Sequence, residues 1–295
     1  MLLTIEYLKV QYGNQIALMI EQPLHFNEGE RIGIIGSNGA GKTTFVKSVL
    51  GLTNYTGSIK TRIEPKQMAV HMQFNEYVGS MPVRYIMEAI LDTKIKRNKQ
   101  LQELIDFFDF EECLSKKYNA LSGGQKQRFT IIMVMLQNAK LTFYDEVTSG
   151  LDFETRRKLM AKLTEWYRDK NDTLFIVSHY YEELEQMADK ILILDKGKVI
   201  AYGKKEELFR KYCGNGIFIL ENSEENRKLA ENFSRIKAPE NLLAVSCKKK
   251  EEEKKLIQLL VEEDVNFKRS NNDIEIMFIN AKEHYYKSRK EGENS

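Results

Sequence analysis

The sequence predicts an α/β protein built on a mostly parallel sheet with helices on both faces. Short apolar runs rich in β-branched residues alternate with segments of helical periodicity, which is the pattern of such sheets. The runs are apolar without alternation, as expected for strands that are buried on both faces. A glycine-rich turn at 36–41 lies between one such strand and a helix, where α/β sheets bind ligands.

The predicted elements begin with an antiparallel hairpin and continue as alternating strands and helices. The hairpin pairs 3–10 with 15–20 around a turn formed by Tyr12, Gly13 and Asn14. The predicted parallel strands are 31–36, 67–72, 141–144, 173–178 and 190–194. The predicted helices between them are 42–50, 125–137, 153–168 and 180–188.

The character of the sequence changes twice, which suggests a domain organisation. Residues 74–120 are charged and helical, and we interpret them as a helical subdomain inserted into a domain that spans 1–213. Glycines after Cys213 indicate a boundary, and 214–285 is predicted to be a small α+β accessory domain with a strand at 272–279. Residues 286–295 are predicted to be a flexible tail.

Composition excludes several classes of protein. Lys and Arg number 45 against 43 Asp and Glu, so no concentrated basic face is expected and no nucleic-acid partner is predicted. The three cysteines, Cys113, Cys213 and Cys247, have no metal-ligand spacing and are predicted to be reduced thiols of a cytosolic protein. The longest apolar run, 129–136, is far shorter than the ~20 residues that span a bilayer, so membrane work would require a partner.

The glycine-rich turn carries the strongest chemical signal in the sequence. It fits the phosphate-loop pattern G-x-x-x-x-G-K-[ST] in the strand-to-helix context that the pattern requires. Its glycines let backbone N–H groups surround phosphates, Lys42 supplies a positive charge, and the Thr43 hydroxyl can ligate Mg²⁺. The predicted phosphate-binding residues are Gly36, Ser37, Asn38, Gly39, Ala40, Gly41, Lys42, Thr43 and Thr44.

Polar residues follow several of the predicted strands. Asp145 and Glu146 come after one strand, His179 closes another, and Gln73 follows a third. Each has a plain structural alternative: two acids opening a loop, a buried histidine, or a surface glutamine. Because carboxyl ends of parallel strands meet at one sheet edge, we expect these residues near the phosphate loop. Asp145 would then be a metal ligand and Glu146 would polarise a water for in-line attack on a phosphate.

Two further features point to phosphate or base binding. Ser122 precedes a helix as a natural N-cap, and Gly123, Gly124 and Gln125 follow it, so this segment is a candidate second anion site or simply a capped helix. Tyr12 in the hairpin turn offers a ring on which an adenine could stack, or packs locally.

Together these motifs resemble the ATP-binding cassette (ABC) ATPases, the motor subunits of ABC transporters. The resemblance covers residues 1 to about 213 and depends on the order of the motifs. In chain order these are Walker A at 36–43, the Q-loop Gln73, the signature LSGGQ at 121–125, Walker B ending in Asp145, then Glu146, the D-loop 149–152 and the H-loop His179.

The resemblance implies a P-loop NTPase fold, ATP and Mg²⁺ as cofactors, and specific roles. Glu146 would be the general base, His179 would contact the γ phosphate, and Gln73 would sense Mg²⁺ or the attacking water. Thr43, Gln73 and Asp145 would lie around the metal. Val147 stands where the family usually has proline, and Thr142 and Tyr144 make Walker B more polar than usual, but no catalytic group is missing.

The resemblance also implies partners. Two nucleotide-binding subunits, identical or related, would pair head to tail, so that Ser122 and Gly124 meet the γ phosphate held by the other subunit and Asp152 communicates across the dimer. The helical subdomain would dock on a transmembrane permease at the cytoplasmic face of the membrane. The C-terminal extension favours export, of a peptide or drug for example, over uptake.

Two alternatives remain beside the transporter interpretation. A soluble cassette ATPase could act on ribosomes or nucleic acid, although such relatives usually carry two cassettes or a long coiled coil before the signature motif, and neither is seen. A non-hydrolysing cassette could dimerise on ATP, but Glu146 and His179 are both present.

Overall fold

The structure is a computed structural model that describes residues 1–72 and 77–293, with side chains described as far as Glu291. Its first ten strands, in chain order, are β1 Leu3–Tyr12, β2 Gln15–Ile20, β3 Leu24–Phe26, β4 Arg31–Ile35, β5 Thr56–Thr61, β6 Met68–His71, β7 Leu141–Asp145, β8 Thr173–Val177, β9 Lys190–Asp195 and β10 Lys198–Lys204. The helices among them are α1 Lys42–Val49, α2 Val83–Ile90, α3 Lys99–Phe107, α4 Gly123–Met135, α5 Phe153–Tyr167, α6 Tyr181–Met187 and α7 Lys205–Cys213.

These ten strands form one mixed sheet within the described part of the chain, in the order β3-β1-β2-β10-β9-β4-β8-β7-β6, with β5 paired to β1. Strands β9, β4, β8, β7 and β6 are mutually parallel, as predicted. The hairpin β1–β2 is antiparallel, also as predicted. Strands β3, β5 and β10 were not predicted, and β10 joins the hairpin to the parallel part by pairing with both β2 and β9.

Side chains alternate between two apolar layers, one on each face of the sheet. On β8, Leu174 and Ile176 face one layer while Phe175 and Val177 face the other. Helix α1 packs on the Phe175 side, and α4, α5 and α6 pack on the Ile176 side. The predicted α/β fold is therefore present, because both faces of the parallel strands are covered by helices.

The polar residues of β7 are accommodated by a buried pair of tyrosines. The hydroxyls of Tyr144 and Tyr167 lie 2.8 Å apart, and Tyr167 also hydrogen-bonds with the Thr142 side chain. Burial raises the pKa of Tyr144 well above its usual value, so both phenols are neutral partners. Thr142 and Tyr144 therefore both have buried protein partners.

Between β6 and β7 the described residues are helical, as the sequence predicted. Helices α2 and α3 and short 3₁₀ turns occupy this stretch. Their buried side chains, including Met87 and Leu104, are continuous with the apolar layer under α4. The helical segment is thus anchored to the sheet through α4.

The C-terminal part contains a second, antiparallel sheet. Its elements are β11 Gly216–Glu221, α8 Glu224–Leu229, β12 Arg235–Ile236, β13 Leu242–Cys247, α9 Lys250–Glu262, β14 Phe267–Ser270 and α10 Ile274–Glu293. The strand order is β12-β13-β11-β14. Helix α9 covers one face of this sheet, and α7 and α10 lie on the side toward the larger sheet.

One prediction for this part was wrong. Residues 272–279 were expected to form a strand, but α10 runs from Ile274 to Glu293. The helix includes 286–293 of the predicted tail, whose flexibility stays a prediction, and 294–295 lie outside the described residues. The apolar residues Ile274, Met277, Phe278 and Ala281 recur at helical spacing and are buried. Packing on α6 and α7, rather than the local run of apolar residues, decides the helix.

The structure also describes the three cysteines and the apolar character of the helices. All three cysteines are free and buried. Among the described residues, no helix combines the length and the apolar character needed to cross a membrane.

Candidate functional site

The site lies where the parallel strands end. Gly36 follows β4, Asp145 ends β7, Asp195 ends β9 and His179 comes just after β8. Because β4 is central among these strands, its loop is flanked on both sides by polar strand ends. The loop, together with the hairpin β1–β2, encloses an open cavity of about 940 Å³.

Most of the predicted binding residues line this cavity together. They are Tyr12, Asn38, Gly39, Ala40, Gly41, Lys42, Thr43, Thr44, Glu146 and His179. Residues that the sequence did not single out also line it, namely Gln15, Ile16, Ala17, Lys196 and Gly197. Tyr12 is exposed at the rim, with its hydroxyl 3.1 Å from that of Thr53, so its ring is free to stack on a base.

The phosphate loop is tightly wrapped because two glycines permit close approaches. A Cβ at Gly36 would collide with the carbonyl oxygen of Leu194, and Gly41 has φ +102° with its missing Cβ 3.0 Å from the Ala17 carbonyl oxygen. The Lys42 ammonium donates to the Gly36 carbonyl oxygen at 2.8 Å and to that of Ser37 at 3.3 Å. Burial lowers the pKa of Lys42, opposed by the charges of Glu146 and Asp145. Lys42 therefore lies over its own loop. Phosphate oxygens could replace the two carbonyl oxygens as the acceptors of its hydrogen bonds.

Asp145 fits a magnesium ligand. One of its oxygens accepts a hydrogen bond from the Thr43 hydroxyl at 3.1 Å. The other, Oδ1, is buried and has no hydrogen-bond partner among the described residues. Burial is the main reason that the pKa of Asp145 is raised. A buried carboxylate oxygen without a donor is costly unless a cation compensates it, so Asp145 and Thr43 suit Mg²⁺.

Glu146 and His179 form a close pair at the cavity wall. Glu146 Oε1 lies 2.7 Å from His179 Nε2. The Glu146 backbone has φ +52°, a left-handed conformation that is unfavourable for glutamate. Its N–H donates to the Val177 carbonyl oxygen at 2.9 Å, which ties the turn to β8. Backbone strain of this kind is concentrated at functional sites, and here it aims a carboxylate at the cavity.

The signature segment lies elsewhere in the chain. Ser122 caps α4, accepting from the Gln125 N–H at 3.3 Å, while Gln125 accepts from the Ser122 N–H at 3.0 Å. Ser122 and Gly123 are exposed, and neither lines the phosphate cavity. The predicted N-cap is present, and anion binding by this segment stays a prediction.

Asp152, another predicted residue, does not line the cavity. Asp152 is exposed and caps α5, with Oδ1 accepting from the Thr155 N–H at 3.0 Å, and that bond lowers its pKa. Gln73 lies outside the described residues.

Sequence reasoning missed Asp195. This buried carboxylate accepts from the Ser37 hydroxyl at 2.9 Å and therefore touches the phosphate loop directly. The signal was available, since Asp195 ends a parallel strand at the same edge as Asp145.

The sequence profile of the family described as "ABC transporter" matches residues 21–149. The manganese transport system ATP-binding protein MntB of Halalkalibacterium halodurans is 34% identical over 209 residues, which cover 63% of this chain and 82% of that protein.

A second relative and a solved structure agree. The methionine import ATP-binding protein MetN of Corynebacterium efficiens is 30% identical over 61% of this chain, but the match spans only 55% of that protein. A solved structure described as the ATP binding subunit of an ABC transporter superposes with a TM-score of 0.64. It is 24% identical, with coverage of 72% of this chain and 93% of the other, and shows that the fold is shared.

Proposed function

Because the chain belongs to the ATP-binding subunits of ABC transporters, which hydrolyse ATP, we propose that it powers the movement of a substrate through a separate transmembrane permease. The observation that carries this proposal is the cavity in which the phosphate loop faces the paired Glu146 and His179. Lys42 and the loop N–H groups would hold the triphosphate there, with the adenine toward Tyr12.

The groups around the cavity account for hydrolysis. The Glu146 carboxylate can accept a proton from an attacking water, and His179, within hydrogen-bonding distance of it, orients that carboxylate and can contact the terminal phosphate. Asp145 and Thr43 would hold Mg²⁺, which neutralises phosphate charge when it is bound.

We propose a head-to-tail dimer as the active form. Ser122 and Gly123 are exposed at the N-terminus of α4, away from the cavity of their own chain, where N–H groups of the first helical turn lack intrahelical acceptors. A second nucleotide-binding subunit would bring this cap to the γ phosphate. The dimer therefore completes a site that one chain leaves open.

The surface before and along α2 is proposed as the permease contact, at the cytoplasmic face of the membrane. Four large apolar side chains, Val78, Met81, Tyr85 and Ile90, are exposed there. Val78, Met81 and Ile90 line an open cleft of about 470 Å³. Clustered exposed apolar side chains of this kind mark protein contacts.

Two observations bear on the direction of transport, and one favours export while the other favours uptake. The C-terminal extension, 214–295, is the reason that export was predicted from the sequence. The methionine relative is named for import, which favours uptake as a second candidate. Export remains a prediction, and transport of radiolabelled candidate substrates into inverted or right-side-out vesicles distinguishes the two directions.

The ATPase mechanism is tested with Glu146→Gln. We expect this variant to lose ATP turnover by roughly 10²- to 10⁴-fold, because the amide cannot accept a proton. ATP binding is expected to persist, and light scattering should show a dimer trapped by ATP. Glu154→Gln, an exposed acid on α5, is the control and should retain activity. Full turnover in Glu146→Gln would overturn the general-base assignment.

A further inference from the structure

The C-terminal helix α10 reaches the phosphate loop through one buried carboxylate. Asp195 Oδ1 accepts from the Ser37 hydroxyl at 2.9 Å and from the Lys282 ammonium at 2.8 Å. Asp195 Oδ2 accepts from the Tyr286 hydroxyl at 2.7 Å. Lys282 and Tyr286 are one turn apart on α10, so a single helix face supplies two of the three donors.

The electrostatic balance of this cluster depends on α10. The Asp195 side chain is 2% exposed, so its charge requires compensation. Burial alone would raise the pKa of Asp195, but the bonds from Lys282, Tyr286 and Ser37 outweigh it and lower the pKa. Burial and the neighbouring carboxylate raise the pKa of Tyr286 to about 12, so its hydroxyl remains a donor at neutral pH.

The turn that follows Asp195 also touches both the loop and the helix. The Gly197 N–H donates to the Ala40 carbonyl oxygen at 3.1 Å. Lys196, which lines the cavity, places its ammonium 5.6 Å from the centre of the Tyr286 ring. The loop is thus held at Ser37 and Ala40 by a turn that is itself held by α10.

The contact between Asp195 and Ser37 also influences the position of Lys42 in the phosphate loop. The Ser37 carbonyl oxygen accepts from Lys42, while the Ser37 hydroxyl is held by Asp195. Fixing Ser37 therefore fixes one of the two carbonyl groups that position the Lys42 ammonium. Helix α10 is itself anchored by packing on α6, α7 and β10 and by Arg289, 3.5 Å from Glu21.

We propose that Lys282 and Tyr286 are positioning residues for nucleotide binding, and that α10 preorganises the phosphate loop through Asp195. The C-terminal unit, through this helix, thereby sets the affinity of the site for ATP. The inference rests on the proposed nucleotide site and adds that residues outside the cassette motifs influence its affinity for ATP.

The test is the dissociation constant of the full-length chain for ATP, measured by calorimetry. Tyr286→Phe retains the ring and removes one donor, so we expect affinity to fall roughly 2- to 10-fold. Lys282→Met leaves a buried carboxylate less compensated, and the expected loss is roughly 10- to 100-fold. Tyr285→Phe, the neighbouring tyrosine on α10, should bind ATP as the unaltered chain does.

A double-mutant cycle separates positioning from a general structural effect. Ser37→Ala combined with Tyr286→Phe should lose less affinity than the product of the single losses, because both act through Asp195. Thermal unfolding of each variant checks that the fold is intact. Independent, multiplying effects, or unchanged affinity in Tyr286→Phe and Lys282→Met, would overturn the proposal. Failure of the unaltered chain to bind ATP would instead overturn the nucleotide site itself.

Discussion

At the scale of single residues, the site contains residues whose surroundings disfavour their charge or their backbone conformation. Lys42 is an ammonium in a buried position, Asp145 is a carboxylate with one oxygen lacking a partner among the described groups, and Glu146 has a left-handed backbone. Each arrangement costs free energy, and a bound triphosphate with its cation would relieve the first two. Such residues are expected at a binding site and not in a packed core.

Lys42→Ala tests the phosphate contact. We expect ATP affinity to fall roughly 10- to 100-fold, because a charge-assisted contact to phosphate is removed. Calorimetric titration with ATP measures the change, and Lys47→Ala on the same helix is the matched control. Since Lys42 loses solvation in the fold, its removal should not lower the thermal midpoint. An unchanged affinity would contradict the phosphate-loop assignment.

His71 predicts a pH dependence of stability. It is buried at the end of β6, with Nε2 2.9 Å from Gln127 Oε1, and Nδ1 has no partner among the described residues. Burial lowers its pKa from 6.5 to about 4, so the unfolded chain binds more protons between these values. The contribution of neutral His71 to the free energy of unfolding is therefore complete above pH 6.5. As the pH falls from 6.5 toward 4, this free energy decreases by about 3 kcal/mol.

Denaturant unfolding at pH 7 and pH 4.5 measures this effect. In His71→Gln the part of the acid destabilisation due to His71 should disappear, whereas His25→Gln, at an exposed histidine, should behave as the unaltered chain does. Equal acid sensitivity in all three proteins would contradict the assignment.

At the scale of elements, local sequence pattern and tertiary packing agree in some segments and conflict in others. Strand β7 contains polar residues but remains fully buried, because Tyr167 on α5 supplies a partner for Tyr144. Residues 272–279 were predicted to form a strand, but from Ile274 onward they belong to α10. In both cases the neighbouring helix decides the outcome.

The segment around α2 carries a prediction about the permease. Met81→Glu should reduce co-purification with a multi-spanning membrane protein at least about 10-fold, because it places a charge in an apolar contact. Tagged chain purified from native membranes in mild detergent, followed by mass spectrometry, provides the measurement. Val261→Glu, at an exposed apolar residue of α9, is the control, and ATP binding should be unchanged in both variants. Recovery of ribosomal proteins instead would favour the soluble alternative.

At the scale of the whole molecule, the sheet brings distant parts of the chain to one edge. Strands β9, β4, β8 and β7 end side by side, so residues between 36 and 195 converge on one cavity. The second sheet is linked back to this edge by α10, which returns across the larger sheet to Asp195. The candidate site and the C-terminal unit are thus connected by hydrogen bonds as well as by the chain.

The sequence alone determined the parallel core and most of the site. Phosphate loop, strand-end carboxylates and helix cap are short patterns in which neighbouring residues specify backbone geometry, so Lys42, Asp145 and Ser122 could be identified before the structure. Only the tertiary structure decided the insertion of β10 between β2 and β9, the helical state of α10 and the place of Asp195 beside Ser37. These depend on contacts between residues far apart in the chain, and the energy of such contacts overrides local preference where an apolar run fits more than one periodicity.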